Sequence, residues 1–101
     1  MKILAVTRHT ATCNWLKSRL AEHDLHFTAH FTPEMAEGFE VVVGILPINL
    51  VADLNARGIC FFMVTMDVPA ELRGKELTEE QMVECNAKLE QFCVLRVSTT
   101  L

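Results

Sequence analysis

Three short runs, built almost wholly of apolar residues, set the terms for this chain: Ile3–Val6, Phe39–Leu46 and Ile59–Met66. A half-solvated strand alternates apolar and polar side chains. The first two runs do not alternate and read instead as strands covered on both faces, as in parallel sheets, and Ile59–Met66 reads as the next strand. The Val41-Val42-Val43 step is strongly β-prone. Between the runs lie segments of helical period. After Thr10, an N-cap candidate, Ala11–Glu22 places Trp15, Leu16 and Leu20 on one face and Lys17, Arg19 and Glu22 mostly away from it. Pro47 suits a first helical turn, and Ile48, Leu50, Val51 and Leu54 pack a helix that runs to Arg57 and stops at Gly58. Thr78-Glu79-Glu80-Gln81 reads as a capping box, followed by a helix whose buried face is Met82, Cys85 and Leu89.

The remaining segments complete the pattern. His26–Thr32 reads as an edge strand with Phe27, Ala29 and Phe31 on one side, and Thr32–Gly38 as a short helical turn. Phe92–Val97 reads as a final strand of either direction. Strands alternating with helices predict an α/β fold, a Rossmann-like three-layer sandwich with a mainly parallel five-stranded sheet in the order 2-1-3-4-5. The 101 residues suit one domain spanning 1–101.

Composition narrows the class. Nine Lys and Arg stand against 13 Asp and Glu, a net charge of −4 that disfavours long DNA or RNA but admits a small anion in a locally cationic pocket. No run approaches the length of a membrane span, and the N-terminal stretch Met1–His9 reaches a charged residue, Arg8, too soon for a signal peptide, so a cytoplasmic protein is expected. Cys13, Cys60, Cys85 and Cys93 form no C-x-x-C pair and read as buried free thiols. His23, His26 and His30 are spaced as surface or edge residues, and no metal or cofactor is expected.

In the expected strand order, the first and third strands are neighbours and their helices leave on opposite faces. The loops Thr7-Arg8-His9-Thr10 and Leu46-Pro47-Ile48-Asn49 then open into a topological switch point, where open α/β sheets bind ligands. The first loop offers hydroxyls, a guanidinium and an imidazole at a helix N-terminus, which favours anions. The Asn49 amide suits a base, ribose or phosphate. Arg73 and Lys75, following the strand exit at Asp67, could close over the same end, with Asp67 orienting one of them. By pattern alone, Arg8-His9 is equally a solvated strand exit with Arg8 paired to a carboxylate. Pro47 and Asn49 are ordinary at helix starts, and Arg73 and Lys75 are ordinary loop cations.

Val6-Thr7-Arg8-His9, Gly44-Ile45-Leu46-Pro47-Ile48-Asn49-Leu50 and Asp67-Val68-Pro69-Ala70-Glu71-Leu72-Arg73-Gly74-Lys75-Glu76-Leu77 together resemble the CRISPR-associated Csx-sixteen family of type III systems. The resemblance covers nearly the whole chain, with the tail Val94–Leu101 departing most. It implies a CARF-like ring nuclease that binds cyclic tetra-adenylate across a two-fold homodimer and cleaves it to linear di-adenylates, switching off type III signalling. Thr7, Arg8, His9, Pro47, Asn49, Arg73 and Lys75 lie in the matching motifs; within that set our own expectation is that Arg8 and His9 are catalytic and that the others, with the neighbouring Thr10, bind substrate. No metal is required where a ribose 2′-hydroxyl attacks its own 3′-phosphate. The alternatives are a sensor or sponge that binds the ring without cutting it, and an adaptor that docks to a larger effector through an exposed apolar patch.

Overall fold

The computed structural model describes residues 1–99 and 101. Its elements are β1 (Lys2–Val6), α1 (Thr10–Arg19), β2 (Asp24–Thr28), a 3-10 turn (Pro33–Ala36), β3 (Val41–Gly44), α2 (Ile48–Ala56), β4 (Cys60–Thr65), a second 3-10 turn (Ala70–Leu72), α3 (Glu79–Glu84) and β5 (Lys88–Phe92). The five strands form one sheet in the order β2-β1-β3-β4-β5. The first four run parallel and β5 runs antiparallel to β4.

Two apolar layers follow from the period of two along each strand. Ile3, Ala5, Val41, Val43 and Val64 face one side, where Trp15 and Leu16 of α1 and Met82 of α3 cover them. Leu4, Val42 and Phe61 face the other, against Val51 and Leu54 of α2 and Ala36 of the first 3-10 turn. This is the expected three-layer sandwich, with α1 and α2 on opposite faces. Burial on both sides explains why β1 and β3 lack alternating polarity.

The antiparallel strand has a geometric cause. Helix α3 is six residues long, about 9 Å, too short to cross the sheet. The Asp67 N–H, just past β4, donates to the Cys85 carbonyl at the end of α3 at 2.8 Å. The helix thus closes beside the strand exit it left, and β5 can only run back. Asn86, in the left-handed region at φ 58°, makes the reversal. The final strand therefore lies at Lys88–Phe92 rather than Phe92–Val97. Leu89, expected on the helix, sits in β5 opposite Val64. The capping box is present, with Thr78 Oγ1 accepting from the Gln81 N–H and Gln81 Oε1 accepting from the Thr78 N–H.

Other expectations need correction. His9, not Thr10, occupies the N-cap of α1, and that helix ends at Arg19 rather than Glu22. Strand β2 stops at Thr28, whose hydroxyl donates to the His30 carbonyl at 2.8 Å and turns the chain. Phe31 consequently packs on the α2 face while Phe27 packs on the α1 face, so the two do not share a side. Ile48 is exposed instead of packing α2. Of the cysteines only Cys85 is buried; Cys13 is half-buried, and Cys60 and Cys93 are exposed.

Leu54→Ala empties a fully buried position of the α2 layer and is expected to cost about 2–5 kcal/mol. Thr78→Ala removes a cap for about 1 kcal/mol. Chemical denaturation midpoints check both, and the reverse order of losses would contradict this layering.

Candidate anion-binding crevice

Strands β1 and β3 pair from Ile3↔Val41 to Val6↔Gly44. Beyond that point the two chains part to opposite faces of the sheet, and the gap between them is the crevice. Gly44 permits the approach at its base. A Cβ there would stand 3.0 Å from the Val6 carbonyl oxygen and 3.1 Å from the Val6 Cβ, contacts that backbone in a sheet cannot easily relieve.

The crevice has a volume of about 370 Å³. Its floor is apolar, with Val6, Val43, Val64 and Met82 among its residues. Its polar groups are Thr7, Arg8, His9 and Thr12 from the β1–α1 segment and Lys75 and Glu76 from the segment after β4. The first turn of α1 holds no acidic residue, and no side chain caps it. Its free N–H groups and positive dipole end therefore add to the cations of Arg8 and Lys75. Arg8 forms no ion pair among the described residues, so its expected carboxylate partner is not found there.

His9 is fixed from two sides. Its backbone N–H donates to Thr7 Oγ1 at 3.2 Å. Its Nδ1 lies 2.7 Å from Glu76 Oε1. A carboxylate at Nδ1 assigns the proton to that nitrogen and leaves Nε2 for a ligand. Both side chains are more than half exposed, 55% for His9 and 71% for Glu76. Such a pair contributes on the order of 0–1 kcal/mol to stability, so its chief effect is to set the orientation of the ring.

The residues singled out from sequence divide cleanly. Thr7, Arg8, His9 and Lys75 meet in the crevice. Thr10, Pro47, Asn49 and Arg73 are not among its lining residues. The Asn49 carbonyl accepts from Arg96 Nη2 at 3.3 Å, and Arg96 Nη1 reaches Asp53 Oδ1 at 2.9 Å, tying this part of α2 to the tail. Arg73 Nε donates to the Val68 carbonyl at 3.2 Å, within its own loop. Asp67 forms no ion pair with either cation. Sequence reasoning missed Thr12 and Glu76. Thr12 was signalled by its place in the first helical turn. Glu76 lies 67 positions from His9, and nothing local marks that contact.

Fold and crevice together define a doubly wound α/β protein with a cation-lined cleft at its topological switch point. Residues 4–95 match the family model described as "Putative CRISPR-associated protein (Cas_VVA1548)", and the chain belongs to that family. No curated protein and no solved structure matches it. The structure contains no helix long and apolar enough to cross a membrane among the described residues.

Gly44→Ala is expected to destabilise the fold by about 1–3 kcal/mol through overpacking against Val6. A thermal or chemical melt equal to wild type would mean that β1 and β3 do not meet as described.

Proposed function

We propose that this chain is a ring nuclease of the Csx-sixteen kind, binding cyclic tetra-adenylate and cleaving it to linear di-adenylates in type III CRISPR signalling. The observation that carries the reading is the His9–Glu76 contact, set beside Arg8 and Lys75 at the open N-terminus of α1. Membership of a CRISPR-associated family supplies the context.

The chemistry follows from the groups present. The 2′-oxygen of one adenosine attacks its own 3′-phosphorus and forms the O2′–P bond. The P–O5′ bond breaks, leaving a 2′,3′-cyclic phosphate on one side and a 5′-hydroxyl on the other. The nucleophile is the substrate's own hydroxyl, so the reaction needs no metal-bound water. Arg8, Lys75 and the first-turn N–H groups of α1 offset the charge that gathers on the phosphoryl oxygens. His9 in its protonated form donates from Nε2 to the departing O5′, and Glu76 holds the imidazole in register for that transfer. The proton of the 2′-hydroxyl passes to solvent.

Size argues for two copies. A cleft of about 370 Å³ lies near the small end of the roughly 300–1,000 Å³ range of ligand pockets. It suits one nucleotide, whereas the ring has four. A two-fold dimer offers the crevice twice, once for each of two opposite phosphates. Ile45, 77% exposed at the crevice, and Ile48, 72% exposed on the adjoining first turn of α2, give that dimer an apolar rim. Thr7 and Thr12 line the phosphate side. Pro47, Asn49, Thr10 and Arg73, lying outside a single crevice, would reach the ring only across the dimer or through a shift of the segments that carry them.

Purified protein incubated with cyclic tetra-adenylate in EDTA should release linear di-adenylates over many turnovers, followed by chromatography. Arg8→Ala and His9→Ala should each lower turnover by about 10²-fold or more. Glu76→Gln should lower turnover while keeping or tightening ring binding, since it removes a negative charge from an anion site. Intact ring with tight binding would instead identify a sequestering protein. Cleavage unchanged in both the Arg8 and His9 variants would remove the crevice from catalysis.

A further inference from the structure

We propose that Cys60 and Cys93 form a reversible intramolecular disulfide that fastens the β5 edge of the sheet to β4. The β4–β5 ladder pairs Phe61 with Phe92 at its outer end. Continued one step past that last pair, the same register sets Cys60 opposite Cys93, the residue that follows β5.

The kind of pair matters as much as the position. The Cys60 N–H donates to the Glu40 carbonyl at 3.1 Å, so Cys60 directs its backbone groups towards β3. Backbone direction alternates along a strand, so Phe61 is the residue that bonds across to β5. The Val94 N–H donates to Asn55 Oδ1 at 2.7 Å and adds no further rung. Cys60 and Cys93 thus hold a non-hydrogen-bonded position, where the chains come closest. Cα atoms at such positions stand about 4.5 Å apart, inside the range of about 4.4–6.8 Å that a disulfide spans.

Direction and access agree. Alternation puts Cys60 on the same face as Phe62 and Val64, and Cys93 on the same face as Gln91 and Leu89. Phe62 and Leu89 both pack against the α1-side core, so the two thiols project to one side. Both cysteines are exposed, unlike Cys85. Bond formation requires a disulfide-class oxidant such as oxidised glutathione. One Cys thiolate attacks it and expels a glutathione thiolate, giving a mixed disulfide. The second Cys thiolate displaces the other glutathione and closes the Sγ–Sγ bond. Two electrons pass to the oxidant, and the two thiol protons end on the two glutathiones. The closed loop contains β4, Lys75, Glu76, α3 and β5, so closure restricts the unfolded chain over a long segment.

This inference does not rest on the nuclease reading, because Cys60 begins β4 and the crevice lies at that strand's far end. The test equilibrates the purified protein with oxidised glutathione, then alkylates free thiols and maps peptides by mass spectrometry. Two of the four thiols should resist alkylation, with a Cys60–Cys93 linked peptide that dithiothreitol abolishes. The oxidised protein should melt several degrees higher than the reduced one (about 5 °C or more). Cys60→Ser and Cys93→Ser, both at exposed sites, should each abolish the linked peptide and the shift. Four alkylated thiols, stable glutathione adducts, only intermolecular links, or a linked peptide with an unchanged melting midpoint would each overturn the proposal.

Discussion

The candidate crevice depends on how closely β1 and β3 pair before they part. Val6 and Gly44 are the last partners in that ladder, and the absence of a side chain on Gly44 lets the two strands meet there without distortion. Their helices then leave to opposite faces. The sheet fixes the strand ends rigidly, since Leu4, Ala5, Val42 and Val43 are buried almost completely. The loops that follow inherit precise starting points. Arg8 and His9 extend directly from β1, so their positions are set by the core and not by loop contacts alone.

The second side of the crevice is built differently. Lys75 and Glu76 belong to a segment that follows β4 and is secured by α3. Its anchors are the capping box at Thr78 and the hydrogen bond from Asp67 to Cys85. Two sequence-distant segments thus meet across the cleft, and the His9–Glu76 contact is where they touch. A group that reaches over 67 residues to hold a histidine ring serves orientation more than stability.

Sequence alone revealed most of the architecture. Buried parallel strands advertise themselves as apolar runs, and the order of strands follows from their alternation with helices. The legible part of the site was the β1–α1 loop, because strand exit, helix start and charged residues are adjacent in the chain. What stayed hidden was non-local or arose from short elements. Glu76 carries no local mark of its partner. Leu89 falls on the helical period of Met82 and Cys85, yet the left-handed turn at Asn86 moves it into a strand. Cys60 and Cys93 read as small hydrophobes, since neither composition nor spacing places them opposite one another at a sheet edge. Asn49 sat in a promising loop, but its carbonyl is tied to Arg96 on the flank of α2.

The reversal of β5 has a further consequence. Because α3 closes beside the strand it left, the chain from Asp67 to Ala87 leaves and re-enters the sheet at the same end. That excursion carries Lys75, Glu76, Leu77 and Met82 of the crevice but none of the pairing between β1, β3 and β4. Selection can lengthen, shorten or recharge it without shifting the register of those strands. The candidate crevice can therefore change in shape and charge while the parallel core is kept.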